Sequence, residues 1–119
     1  MRIPKANEFN LKSKIWLEIH GRPIMGEGRM AMLEAIDANR SILEASRSTG
    51  ISYRRMRGAI RDMETAIEQV LVITRRGGRQ GGYAELTPAA LALMEAFRTL
   101  THGFQDASDL RFKRIFGFF

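Results

Sequence analysis

The chain has no cysteine, only two histidines, three prolines and one tryptophan. Without thiols there is no disulfide framework and no thiolate metal site. His20 and His102 stand far apart with no cluster of ligating residues beside them. No His–carboxylate, Ser–His or metal-ligand constellation emerges, which argues against an enzyme. No apolar run approaches the ~20 residues that a membrane helix needs. The first residues also lack an apolar signal core before a small-residue cleavage site. These gaps lead to the expectation of a soluble, cytoplasmic protein, not an enzyme, with no metal and no cofactor. No internal repeat or low-complexity segment is present.

What is there in quantity is arginine, and it is concentrated. The chain is 119 residues long, with 45% apolar and 27% charged residues, the size and balance of one globular domain. It carries 19 Lys and Arg against 13 Asp and Glu, a net charge of +6. Eight arginines lie between Arg47 and Arg79 and are opposed only by Asp62, Glu64 and Glu68, so eight minus three places +5 in that stretch. A solvated basic face is the plain reading of such a patch. A polyanion-binding surface is the functional one.

Residues 1–13 are polar and mixed and read as a loose arm. From Lys14 to Ile19 apolar and polar residues alternate, the period of a half-buried strand. Trp16 falls on the polar side, where it would cover an edge or a partner. His20-Gly21-Arg22-Pro23 is expected to break the strand. Met32, Leu33 and Ile36 recur at helical spacing and predict an amphipathic helix over about 29–39, ended by Asn39. Ser41 with Glu44 three residues on is a capping box, starting a helix that runs to about Ser48. Gly50 stops it, and Ile51 would plug the corner.

Ser52 then caps a second helix, taken as 52–69. Its inward face is Met56, Ala59, Ile60, Met63 and Ile67. Its outward stripe is Arg54, Arg57 and Arg61, three and four residues apart, with Arg55 at the edge. Two short helices joined by a sharp turn with glycine near its start form a helix-turn-helix. Arginines in the first turn oppose the helix dipole, which an anionic partner explains and a purely structural role does not. Leu71 to Arg75 and Tyr83 to Leu86 read as strands. Between them, Gly77-Gly78 and Gly81-Gly82 bracket Arg79 and Gln80, a hairpin tip that lets backbone approach a phosphate. A nucleotide phosphate loop fits poorly, since strands rather than a helix flank the glycines and no Gly-Lys-Ser/Thr follows. Thr87-Pro88 opens the last long helix. Ala90, Leu91, Leu93, Met94, Phe97 and Leu100 give it a wide apolar face, part for the core and the excess for a dimer seam. Beyond Gly103, the tail with Phe104, Phe112, Phe116, Phe118 and Phe119 is expected to dock on its own domain or on a partner.

The span from about Gly28 to Leu100 resembles the N-terminal DNA-binding domain of ModE-type molybdate-responsive regulators, related to the LysR-type winged helix. The residues that carry the resemblance are Met-Leu-Glu-Ala-Ile at 32–36, the run from Ser41 through Ile51-Ser52-Tyr53-Arg54, a partial match over 60–63, and the double Gly-Gly ahead of Leu86-Thr87-Pro88. Two positions depart: Arg57 stands where the family has tryptophan, and Ala90 where it favours glycine. The resemblance implies a mainly α fold with a small β-wing, a winged helix-turn-helix with a long C-terminal dimerisation helix. It implies the DNA-binding half and the dimer helix, without molybdate sensing, so molybdate is not expected as a ligand. The expected division is 1–87 for the DNA-binding domain with its arm and 88–119 for the dimerisation helix and apolar tail.

The expected function is a homodimeric, sequence-specific regulator of transcription that binds double-stranded DNA and associates with the nucleoid. Its second helix lies in the major groove and the wing, 71–86, on the backbone or minor groove. Ser52, Tyr53, Arg54, Arg55, Arg57, Arg61, Arg75, Arg76 and Arg79 are the candidate DNA contacts. The alternative is an architectural DNA binder without sequence preference; a protein-interaction module is the third reading.

Overall fold

A computed structural model describes residues 2–76 and 82–117 of the chain. After a single 3-10 turn at Ala6–Glu8, its elements, in order, are strands β1 (Leu17–Ile19) and β2 (Arg22–Met25), helices α1 (Glu27–Asn39), α2 (Ile42–Thr49) and α3 (Tyr53–Ile67), strands β3 (Val72–Arg75) and β4 (Tyr83–Leu86), and helices α4 (Pro88–Thr101) and α5 (Phe104–Phe116). The strands form two separate antiparallel hairpins, β1–β2 and β3–β4. The architecture is mainly helical with a small β-wing, as expected.

The first hairpin corrects the sequence reading at residues 20–23. His20 and Gly21 both take positive φ, 50° and 80°, and Ile19 pairs with Arg22. That is the two-residue mirror-image turn whose twist suits a hairpin, so the strand turns back instead of ending. Pro23 is tolerated because the sheet has only two strands, and every strand in it is an edge. The return strand drives Ile24 and Met25 into the core, 5% and 1% exposed.

Helix α1 is closed by Arg40 rather than Asn39. Arg40 adopts the left-handed conformation (φ 54°), and its N–H donates to the Ile36 carbonyl at 2.8 Å. The Asn39 side chain instead donates to the Ala35 carbonyl within its own helix. Ser41 caps α2 by accepting from the Glu44 N–H at 3.1 Å. Of the expected capping box only this arm forms fully, since the Glu44 carboxylate is engaged by Arg47 at 2.7 Å. Gly50 ends α2 at φ 74°, and Ile51 packs half-buried against the core. Helix α3 stops at Ile67, two residues short of expectation, because Glu68 turns left-handed at φ 59°.

The core is methionine-rich. Met25, Met30, Met32, Met56, Met63 and Met94 are all buried, around Leu33, Ile36, Ala45 and Leu71, each 0% exposed. Unbranched thioether side chains fill the irregular space between three short helices and a hairpin. Helix α4 joins this core through Ala90, Met94 and Phe97. Its start is fixed by Thr87, whose hydroxyl accepts from the Ala90 N–H at 3.2 Å and donates to the Val70 carbonyl at 2.7 Å.

The apolar tail is a helix, α5, which follows Gly103 at φ 80° and buries none of its described residues. Its partner is the N-terminal arm. The Phe9 ring lies 5.2 Å from Phe116, and Phe116 stacks on Phe112 at 4.8 Å. Ser13 Oγ donates to Gln105 at 2.8 Å. Near the start of the arm, Arg2 and then the Lys5 N–H hold the Glu8 carboxyl below its ordinary range. Phe118 and Phe119 lie outside the described residues.

Candidate nucleic-acid interface

Helix α3 starts where it does because the Ser52 hydroxyl accepts from the Arg55 N–H at 3.1 Å. Its first turn contains no acidic residue. Met56, Ala59, Ile60 and Met63 face the core, and Ile67 is half-buried beside them. Arg54, Arg55 and Arg61 are left in solvent. Tyr53, 45% exposed, opens the helix. Among the described residues no arginine of α3 or of the wing is in an ion pair; the four pairs present join Arg2 to Glu8, Arg29 to Asp62, Arg47 to Glu44 and Arg98 to Glu95. Asp62, which might have neutralised this surface, faces α1 and meets Arg29 at 3.4 Å.

Arg57 differs from its neighbours. It is half-buried, and its guanidinium carbon lies 6.0 Å from the centre of the Tyr53 ring, within reach of a cation–π attraction. It lines a cavity of about 460 Å³ together with Tyr53, Thr74, Arg75, Arg76 and Tyr83. A second cleft of about 240 Å³ shares Arg57 and Thr74 and adds Arg61 and Glu64. The sequence reading put Arg57 on the outward stripe of the helix. It sits instead on the flank that faces the wing, between the two clefts.

The wing is closed on itself and joined to the helices by three sets of hydrogen bonds. In the β3–β4 hairpin, Val72 pairs with Leu86 and Arg75 with Tyr83. The Ala84 N–H donates to the Arg40 carbonyl at 2.9 Å, and the Thr87 N–H to the Leu71 carbonyl at 2.9 Å. The third set belongs to Glu64, which the sequence offered only as a charge opposing the arginines. One of its carboxylate oxygens accepts from the Leu71 N–H at 2.8 Å and from the Val72 N–H at 3.2 Å. Glu64 thus joins α3 to the root of the wing. An acid eight residues before a strand carries no periodic signal that would have revealed this.

The structure thus brings Tyr53, Arg57, Arg75 and Arg76 around one cavity and Arg61 beside it, while Ser52, Arg54 and Arg55 line neither cleft. Arg75 and Arg76 are exposed. Arg79 lies outside the described residues. No group of three or more His, Cys, Asp or Glu side chains is arranged to hold a metal among the described residues. No helix among them is long and apolar enough to cross a membrane.

This chain is 37% identical over 94 residues to the molybdenum-pterin-binding protein MopA of Rhodobacter capsulatus, a match that spans 79% of the chain and 36% of MopA. It is 34% identical over 93 residues to the transcriptional regulator ModE of Yersinia pestis, covering 78% of the chain and 35% of the relative. Its winged helix-turn-helix is of the ModE type. The DNA-binding transcriptional dual regulator ModE of Escherichia coli is 33% identical over 82 residues, covering 69% of the chain and 31% of that protein. The chain therefore spans about a third of the length of the ModE-type relatives it matches. No family model matches it. Among solved structures, the LysR-type DNA-binding domain of BenM, in complex with benA site 1 DNA, superposes with a TM-score of 0.53 at 19% identity, covering 76% of this chain and 96% of that one. That likeness establishes the winged-helix fold for the ModE-type chain.

Proposed function

We propose that this chain is the DNA-binding part of a transcriptional regulator and binds double-stranded DNA as a homodimer. Helix α3 enters the major groove, and the β3–β4 wing lies along the backbone or in the minor groove. The observation that carries this reading is the set of arginines on α3 and the wing that, among the described residues, are in no ion pair. An isolated protein gains nothing by gathering such charge at a helix start, where the dipole already repels it. Phosphates gain from it directly. The names of the ModE-type relatives and the DNA-bound BenM neighbour support the same reading.

Within this scheme Ser52, Tyr53, Arg54 and Arg55 meet the DNA from the start of α3, with Arg54 on a base edge. Arg61, Arg75 and Arg76 hold phosphates. Arg57, placed between helix and wing, contacts the strand that crosses that cleft. Arg79 is assigned to the wing tip on the sequence alone. Residues 1–87 form the DNA-binding domain. Residues 88–119 supply the dimer seam, for which Leu91 and Leu100 on α4, 47% and 45% exposed, are available.

The test is to incubate the purified chain with a pool of random duplexes at near-physiological salt and to sequence what it retains. Enrichment of an inverted repeat with half-sites about 34–36 Å apart supports a dimeric, sequence-reading protein. Retention that enriches no sequence and fades steeply with salt replaces it with a nonspecific binder. Absence of retention removes the DNA reading altogether.

A further inference from the structure

We infer that Gly58 is a contact position where the DNA strand comes up against the backbone of α3, an assignment that rests on the duplex-binding reading above. Glycine is the least favourable residue in a helix interior apart from proline. It is usually retained there for one of three local reasons: a positive φ, a crowded neighbour or a cap. None applies. Gly58 lies inside α3, well away from the Ser52 and Glu68 caps. It is absent from the positive-φ residues. A Cβ built on it meets nothing within 4 Å. The protein alone would be better served by alanine.

The position of Gly58 supplies a reason from outside the chain. Arg54, Gly58, Arg61 and Thr65 recur at spacings of four, three and four and so form one stripe. That stripe is opposite the buried residues Met56, Ala59, Ile60 and Met63. Arg54, Gly58, Arg61 and Thr65 are all exposed. The centre of the outward face is therefore a gap without a side chain, flanked by two guanidinium groups that have no ion-pair partner among the described residues. Long arginines reach out along the groove from either side. The gap lets the helix backbone settle against the base edges or the sugar–phosphate strand between them. Filling it holds the whole helix away from the groove.

The two demands on this position have opposite signs, and that makes the assignment testable. Gly58→Ala and Gly58→Met are compared with the unaltered chain by thermal unfolding and by titration against a labelled duplex retained from the random pool. Alanine raises the midpoint of unfolding by about 3–6 °C while weakening duplex binding about tenfold or more. Methionine, also a good helix former, keeps the fold and weakens binding further. If both variants bind as tightly as the unaltered chain, the assignment is overturned while the DNA reading stands. If Gly58→Ala unfolds at a lower temperature than the unaltered chain, the glycine serves the fold, and the assignment is again overturned. If the unaltered chain binds no duplex, the DNA reading itself has failed, and this inference with it.

Discussion

Arg54 and Arg61 share the exposed face of one helix, and in the proposed complex their distance from its start separates their roles. The first turn of a recognition helix is the part that reaches base edges, whereas later turns run past the backbone. Arg54→Ala should cost about 1–3 kcal/mol on the preferred duplex and much less on a scrambled one, because a bidentate contact to a base is lost. Arg61→Ala should weaken binding equally on both and lower the slope of log K against log salt by about one. Titrations of the two duplexes at several salt concentrations check both statements. Equal loss for Arg54→Ala on the two duplexes would move that residue to the phosphate class. Arg57 belongs to neither pattern, because it is held beside Tyr53 in the wing-facing cleft.

The wing serves the proposed interface only if the angle between it and α3 is fixed, and Glu64 is one of the groups that tie the two together. Glu64→Ala leaves the Leu71 and Val72 N–H groups without their acceptor, at a cost of about 1–3 kcal/mol for each donor left buried. The midpoint of chemical unfolding should fall accordingly. Glu64→Gln keeps an acceptor oxygen and should recover most of that loss. In the surviving folded protein, the alanine variant should also show a shallower salt dependence of duplex binding if, as proposed, Arg75 and Arg76 hold phosphates and drift from them when the wing loosens. A variant that loses stability but keeps the full salt slope would show that the wing holds its place by other means. At this scale, what was legible in the sequence had a local cause. Ser41, Ser52 and Thr87 announce their helices because a capping hydroxyl must stand next to the N–H it accepts from. Strands β3 and β4 were visible from β-propensity on either side of a glycine-rich turn. Strand β2 was hidden because Pro23 mimics a break, and α5 because its apolar residues serve no buried face. The clamp of Glu64 and the inward lean of Arg57 are tertiary facts, set by where the wing folds back.

The whole molecule divides its apolar surface unequally. Helices α1 to α4 share one core, while among the described residues α5 meets the arm through Phe9, which lies against Phe116 stacked on Phe112. The molecule measures 65 by 29 by 21 Å, far from the proportions of one packed sphere. Phe9→Ala removes a ring contact of about 0.5–1.5 kcal/mol. Amide exchange in α5 should then quicken while that of α1 and α3 stays unchanged. Quickening throughout would mean that arm, tail and core form one cooperative unit. Exposed Leu110 and Ile115, 53% and 56% accessible, add further apolar surface on α5.

The methionines of the core give the fold a chemical clock. Each thioether is oxidised to a sulfoxide by peroxide, and the product is polar and poorly accommodated in a close-packed interior. Six are buried, so that opening of the structure should govern how fast the reagent reaches them. Met56 and Met63 report on α3, Met30 and Met32 on α1, Met94 on α4, and Met25 on the first hairpin. Mass spectrometry of peroxide-treated protein would therefore time the opening of each element separately. Duplex DNA should slow the uptake of oxygen at Met56 and Met63. Once oxidised, either residue would prevent α3 from closing again, so that oxidative damage to the core would end the proposed DNA binding without touching a single arginine.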